Sequence, residues 1–375
     1  MNNIVVLTSS RADYGILRPL LKLLDASHEC HLQLIIFGSH LSKEYGSTVN
    51  EIISDGYHIL YKLDTLPIGD KQIDIIVSMA ETIKSFASIW NSITTKIDLV
   101  IGLGDRYEMF AAILSTIHFD IDIAHIHGGE TTLGALDNKY RHFITIASSI
   151  HFCSTQQYYD RVVELIDDNK NIFNVGALGL DNLLNFIPFS IPVMKEKFGV
   201  DFSIPTLLVV YHPETVNHKQ NDRKLQTLIR ALTILQEEYQ IVINYPNADI
   251  TGIEAREALN NFISSQKNVH GLEHFGTQGY FSAISHSLLL IGNSSSGIIE
   301  AASLNSFVLN IGDRQKGRAQ SNNTFNVPFD EDLIVSESKK IMTLGTYNGI
   351  NIYQSQFNSS ASRIFTSLQV YLNEK

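Results

Sequence analysis

Short runs of consecutive apolar residues, rich in Val and Ile, recur along the chain; most end in a polar, often glycine-containing turn and lead into a stretch with helical spacing. That alternation predicts parallel strands buried on both faces and joined by helices. In the first half the runs are NIVVLTSS, HLQLIIFG, HILYKL, DLVIGLG, DIAHIHGG, HFCSTQ and IFNVG, near residues 3, 31, 58, 98, 122, 151 and 172. Residues 187–205, IPFSIPVMKEKFGVDFSIP, carry three of the eight prolines and no strand pattern, which predicts a boundary. A second series then runs TLLVVYH, QIVINYPN, VHGLEHF, LLLIGNS and FVLNIG. Two Rossmann-like, doubly wound α/β domains are expected, over residues 1–180 and 205–350. Within a closing segment at 355–375, SSASRIFTSLQVYLN has the pattern of an amphipathic helix.

In open parallel sheets ligands bind at the carboxyl ends of the strands, and the unusual polar residues of this chain fall there. In LLLIGNSSSGIIEAASL an apolar strand breaks into Ser294, Ser295 and Ser296 before a helical pattern. Three hydroxyls, backbone N–H groups and the positive end of a helix dipole suit a phosphate. A helix cap alone would account for one or two of these serines. Following the next strand, NIGDRQKGR returns Arg314, Lys316 and Arg318 to the same edge, so a diphosphate fits both loops; Arg318 also reads as a solvated neighbour. Gly292 and Gly297 have the spacing of a P-loop, but Ile298 and Ile299 stand where that motif needs Lys and Ser or Thr. The remaining strand ends deliver Arg11 with Asp13, Asp105 with Arg106, Glu130, then Asp137, Arg141 and His142, and later His212 with Glu214 and Asn247 with Asp249.

Composition narrows the possibilities. With 375 residues, 44% apolar and 18% charged, the chain suits two globular domains rather than disorder. A net charge of −11 without a basic stripe excludes non-specific affinity for nucleic acid or an anionic membrane, so phosphate affinity must be local. Cys30 and Cys153 follow no metal-ligand spacing and read as buried thiols in a reducing, cytoplasmic setting. No run approaches the roughly 18 apolar residues of a membrane span.

Taken together, SSRADYG, LGDRYE, HIHGGE, the D…YRH spacing, YHPET, YPNAD, GNSSSGIIE and NIGDRQKGR, in this order, resemble the hydrolysing UDP-N-acetylglucosamine 2-epimerases of bacterial sialic acid synthesis. The resemblance runs from Ile4 to about Val327. It implies the two-domain fold shared with GT-B glycosyltransferases, with domains facing a cleft and a C-terminal helix packing on the first domain. It implies no cofactor and no metal, a UDP-sugar substrate with UDP as product, and a homodimer or homotetramer. The expected reaction is UDP-N-acetylglucosamine plus water to N-acetylmannosamine and UDP, by elimination of UDP to a glycal followed by hydration.

Residue by residue, the resemblance assigns UDP binding to Arg11, Arg106, His212, Asn247, Ser294, Ser295, Ser296, Glu300 and Arg314, with Glu300 toward the ribose. It assigns acid and base work to Asp105, Glu130 and Asp137, joined by His127. Many relatives read HIEGGE where this chain has HIHGGE, and their loop to the matching aspartate is one residue shorter. His127 then either shuttles a proton or orients a carboxylate. His125 and His127 share a strand face as a metal pair would, but no third ligand accompanies them. Asp105 also reads as the N-cap of the helix RYEMFAAIL, and Arg141 and His142 as supports that hold the HGGE loop. Three other readings stay open: a hydrolase of UDP-2,4-diacetamido-2,4,6-trideoxyglucose for legionaminic acid, a non-hydrolysing epimerase, and a catalytically silent nucleotide-sugar sensor.

Overall fold

The computed structural model describes residues 1–43, 46–69, 71–133, 136–214, 220–245, 252–273 and 275–375. Unit 1 comprises Met1–Glu130, Asp137–Leu184 and Tyr353–Lys375. Unit 2 comprises Thr131–Leu136 and Asn185–Ile352.

Unit 1 is built on seven strands: β1 (Asn2–Thr8), β2 (Cys30–Ile36), β3 (Ile59–Lys62), β4 (Leu99–Leu103), β5 (Ile123–Ile126), β6 (Ile150–Cys153) and β7 (Ile172–Asn174). All pair in parallel, in the order β3-β2-β1-β4-β5-β6-β7. Unit 2 holds β8 (Thr206–Val210), β9 (Gln240–Asn244), β10 (Val269–Leu272), β11 (Leu289–Gly292), β12 (Val308–Ile311) and β13 (Thr324–Val327), ordered β10-β9-β8-β11-β12-β13. Both orders reverse direction once, between β1 and β4 and between β8 and β11. That reversal opens a crevice at the carboxyl ends of those strands. The central strand β1 is apolar along its middle because helices cover both faces: Ile4, Val5, Val6 and Leu7 are all fully buried.

Seven strands of unit 1 and five of unit 2 coincide with the apolar runs. Strand β13, TFNV, carries no such run; it lies at the sheet edge, with its Asn326 exposed, where pairing needs no apolar face. The proline-rich boundary contains the helix Ile191–Phe198, with proline in its first turn and Gly199 closing it in left-handed backbone.

The last helix, Ser360–Asn373, packs on unit 1. Ala361, Ile364, Leu368 and Tyr371 recur at three- and four-residue spacing and join the cluster of Leu17, Leu20, Leu21 and Leu24 from the helix Arg11–Asp25. Its N-terminus is held twice. Ser359 caps Ser362 N–H at 3.1 Å, and the Asp181 carboxylate accepts from Ser359 Oγ (2.7 Å), Ser360 N–H (2.9 Å) and Ala361 N–H (2.7 Å). We expect Asp181→Ala to lower unfolding stability by about 2–3 kcal/mol, since hydrogen bonds to a charged group contribute on that scale. Urea denaturation checks this, and an unchanged midpoint would show that the carboxylate does not anchor the helix.

Candidate functional site

At the reversal point of unit 1, β1 runs into Ser9 and Ser10, and Ser10 caps the helix Arg11–Asp25. The buried Asp13 carboxylate folds this turn by accepting from Ser9 N–H (3.2 Å) and Ser9 Oγ (2.6 Å). Burial raises the Asp13 carboxyl above its usual range, while the Arg106 charge and the hydrogen bonds from Ser9 and Ser10 oppose that rise. Arg11 opens the helix with its side chain exposed. Arg106 lies against Glu108, with contacts of 2.8 and 3.3 Å to a carboxylate that is fully buried.

Asp105 follows β4 after one residue, Gly104. The capping reading for it fails: the helix Tyr107–Leu114 takes Arg106 as its N-cap residue, with no side-chain cap. Its carboxylate instead pairs with the guanidinium of Arg141, which is 2% exposed. A second nitrogen of that guanidinium donates to the Glu130 carbonyl at 2.7 Å, so one cation joins Asp105 to the HGGE loop. Arg141 therefore takes the loop-holding role that its sequence position suggested. Asp137 begins the helix Asp137–Ala147, four residues before Arg141, and is partly buried.

Glu130 is 2% exposed. Its Oε1 accepts from Ser154 Oγ at 2.7 Å and faces His127 Nδ1 at 3.3 Å. Leu178 N–H points at His127 Nε2, 3.3 Å away, which makes Nε2 the acceptor and places the ring hydrogen on Nδ1, toward the carboxylate. Of the two roles open to His127, this geometry matches the orienting one. Its backbone is left-handed (φ 67°), uncommon for a residue other than glycine.

In unit 2 the reversal point is organised by an asparagine. Gly292 lies so close to β8 that a Cβ would sit 2.0 Å from the Val210 carbonyl oxygen, and its φ is +143°; only glycine fits. The next residue, Asn293, is fully buried. Its amide pairs with the His212 backbone in both directions, at 2.7 and 2.8 Å. Its carbonyl accepts from Arg314 (2.8 Å) and Gln315 (2.9 Å). One residue thus ties together the loops after β8, β11 and β12. His212 is held neutral, its pKa pushed down to about 3 by burial and by the Arg314 charge.

The serine turn differs from its expected form. The helix after it, Ser295–Ile299, is five residues long and passes into a tighter turn at Ala301–Leu304, so its dipole is small. Polarity comes instead from hydroxyls. Tyr280 Oη lies 2.5 Å from Ser296 Oγ, which lies 2.9 Å from Ser294 Oγ. Ser295 Oγ makes no hydrogen bond to any described residue, and Glu300 sits at the C-cap of the same short helix. Arg318 reaches Thr132 at 3.5 Å, and Leu133 N–H donates to the Lys316 carbonyl at 3.0 Å, so the segment after Glu130 belongs with the basic loop of unit 2. Asn247 and Asp249 lie outside the described residues.

Residues 22–369 match the family described as UDP-N-acetylglucosamine 2-epimerase. The chain belongs to that family. It is 33% identical over 356 residues to the polysialic acid biosynthesis protein P7 of Escherichia coli, covering 95% of this chain and 87% of the relative. A UDP-N,N'-diacetylbacillosamine 2-epimerase (hydrolyzing) of Legionella pneumophila is 32% identical, covering 94% and 92%. The fold is likewise that of UDP-N-acetylglucosamine 2-epimerases, two parallel-sheet α/β units of GT-B-like type. The solved enzyme of Neisseria meningitidis, bound to UDP-GlcNAc, superposes with a TM-score of 0.81 at 16% identity, covering 99% of this chain and all of that one. Asn293, Gln315 and Tyr280 are neighbours of the candidate site residues that motif reading passed over. Nothing in the residues flanking Asn293 and Tyr280 signals that their polar atoms turn toward the loops. Among the described residues no group of three or more His, Cys, Asp or Glu is placed to hold a metal, and no helix is long and apolar enough to cross a membrane.

The buried imidazoles make a pH prediction. Burial pushes His40 and His151 down to about 4 and His125 to about 3, alongside His212. Each would titrate near 6.5 in the unfolded chain, so between about pH 6.5 and 4 the unfolded state binds more protons. Stability contributed by the neutral rings is complete above 6.5 and is lost as pH falls through that window, at up to about 1.4 kcal/mol per pH unit for each group. Urea midpoints measured from pH 7.5 to 5 should fall steadily; a flat profile would mean that these rings are protonated in the fold.

Proposed function

We propose that this chain is a hydrolysing 2-epimerase that converts UDP-N-acetylglucosamine and water to N-acetylmannosamine and UDP. The observation that carries the reading is the single buried guanidinium of Arg141, which contacts the Asp105 carboxylate and the backbone of Glu130 together. Binding UDP would not require two acidic residues tied to one buried cation in this way; moving a proton at carbon does. In the proposed reaction a carboxylate of the Asp105, Glu130 and Asp137 set removes the C2 proton. The C1–oxygen bond to UDP breaks, leaving a 2-acetamidoglycal. Water then adds at C1, and a proton returns to C2 from the opposite face. His127 holds Glu130 in orientation rather than carrying the proton.

In unit 2, Ser294, Ser295, Ser296, His212 and Arg314 receive the diphosphate, and Tyr280 with Asn293 fixes their positions. Arg11 and Arg106 are positive charges at the strand ends of unit 1, with Arg106 moderated by Glu108. Glu300 faces the ribose. Charge growing on the leaving diphosphate is met by fixed dipoles and a guanidinium, so little reorganisation is needed at the moment of bond breaking.

A second substrate is favoured by one observation: the Legionella relative, as similar as the E. coli one, is named for a sugar with a second acetamido group at C4. Proton NMR in deuterated water, with each UDP-sugar in turn, separates the two. Free UDP with N-acetylmannosamine deuterated at C2 is the expected result. Turnover of only the diacetamido sugar would move the substrate assignment, and inertness toward both would overturn the hydrolase reading. Ser295→Ala and Arg314→Ala should each weaken UDP binding by roughly 10- to 100-fold, the equivalent of a lost charge-assisted contact. Asp105→Asn should cut turnover to a small but measurable residue while calorimetry still records UDP binding; equal loss of both would make Asp105 structural.

A further inference from the structure

His125 enters the motif reading only as half of a metal pair, yet it is the most connected side chain beneath Asp105. It lies within β5 and is fully buried. Its Nε2 is 2.8 Å from the Gly104 carbonyl oxygen, and its Nδ1 is 3.1 Å from Thr145 Oγ1. A carbonyl has no hydrogen to give, so Nε2 must carry the ring hydrogen. With the ring held neutral by burial, Nδ1 is left bare and accepts from the threonine hydroxyl. That hydroxyl also lies 2.9 Å from the Arg141 carbonyl, so its one hydrogen serves the ring or the helix in turn.

Both sides of the Gly104 peptide are therefore held. Its N–H donates to the Ile126 carbonyl at 3.0 Å, and its carbonyl takes the His125 hydrogen. Gly104 has left-handed backbone, φ +79°, and Asp105 is the next residue. From the other direction, a Cβ on Gly128 would lie 3.1 Å from His125 Nδ1 and 3.2 Å from Thr145 Oγ1; the glycine of HIHGGE lies flat against this pair. A closed circuit results: Gly104 to His125, His125 to Thr145, one turn of helix to Arg141, and Arg141 back to the Asp105 carboxylate. Asp105 is gripped at its backbone and at its carboxylate, and both grips converge on the helix Asp137–Ala147.

We propose that His125 is a positioning residue for Asp105: its Nε2–H fixes the Gly104 carbonyl and so sets the direction in which Asp105 leaves β4. The inference rests on the proposed proton-transfer role of Asp105. A displacement of about 1 Å in a reacting group can cost on the order of 100-fold in rate without altering binding elsewhere. His125 touches no substrate and acts only through Asp105.

The test is a double-mutant cycle on the full-length protein, read as UDP release from whichever of the two UDP-sugars it turns over, with UDP affinity by calorimetry. His125→Ala should lower kcat by roughly 10- to 100-fold while KM and UDP affinity stay within about twofold. His125→Gln places an amide nitrogen near the Nε2 position, donates to Gly104 again and should recover part of kcat. Thr145→Val, which removes the Nδ1 partner but leaves the Nε2 bond, should cost less than His125→Ala. In an Asp105→Asn background, either His125 substitution should cause no further loss. Unchanged kcat in His125→Ala, equal damage from Ala and Gln, or undiminished cost in the Asp105→Asn background would overturn the proposal. Should the alanine variant fail to fold, the Gln and Thr145→Val variants decide it by the same criteria. If Asp105→Asn itself turns over normally, the role of Asp105 falls and the positioning argument with it. If Asp105→Asn is strongly impaired and His125→Ala fully active, only the His125 inference is lost.

Discussion

A guanidinium removed from water is destabilising unless opposite charge and hydrogen-bond acceptors surround it, and Arg141 is 2% exposed. This single requirement organises the carboxyl edge of unit 1. Arg141 needs an anion, and Asp105 supplies it at the end of β4; it needs acceptors, and the Glu130 carbonyl supplies one beyond β5. The two strands are neighbours, so the cation reads the register of the sheet and converts it into a fixed separation between two acidic residues. Arg141 is the dry partner and Asp105 the partly exposed one, so losing the carboxylate would leave a buried cation without its counter-charge.

Unit 2 meets its own geometric demand with an amide. Asn293 binds the His212 backbone with its side chain and Arg314 and Gln315 with its carbonyl, drawing three strand ends together. Gly292 makes this possible by removing the Cβ that would strike Val210. The hub is neutral, so the positive charge of Arg314 beside it is not cancelled, as a carboxylate in its place would do. The Tyr280–Ser296–Ser294 hydroxyl chain extends the same principle: each hydroxyl can both donate and accept, so the chain can turn its hydrogens outward when an anion arrives.

Local apolar runs made most of the fold legible in the sequence. Parallel strands covered on both faces are largely apolar, so among the described residues twelve of thirteen were visible as runs, and the spacing of Ala361, Ile364 and Leu368 gave the final helix. The edge strand β13 was hidden because an edge can be polar. Motif resemblance located the acidic residues and the serine turn, but not what holds them. The pairing of Asp105 with Arg141 spans 36 residues, and nothing local in LGDRYE distinguishes it from a helix cap. The reach of Asn293, the hydroxyl of Tyr280 and the brevity of the helix after Ser294 depend on backbone path, which composition does not encode.

Unit 1 is made of three separate stretches of chain, and the last of them, Tyr353–Lys375, follows the whole of unit 2. On the ribosome the order of completion is then inverted. The strands of the first sheet emerge early but lack the helix that covers Leu17, Leu20 and Leu24 until unit 2 has been synthesised. Such a nascent sheet exposes apolar surface for the time needed to translate some 170 further residues, on the order of ten to thirty seconds at ordinary elongation rates. The closing contacts, such as Tyr158 with Tyr353, join residues 195 positions apart, a separation that slows the search for the native state. The family's architecture therefore places a burden on chaperones that its two compact units, viewed only when finished, would not suggest.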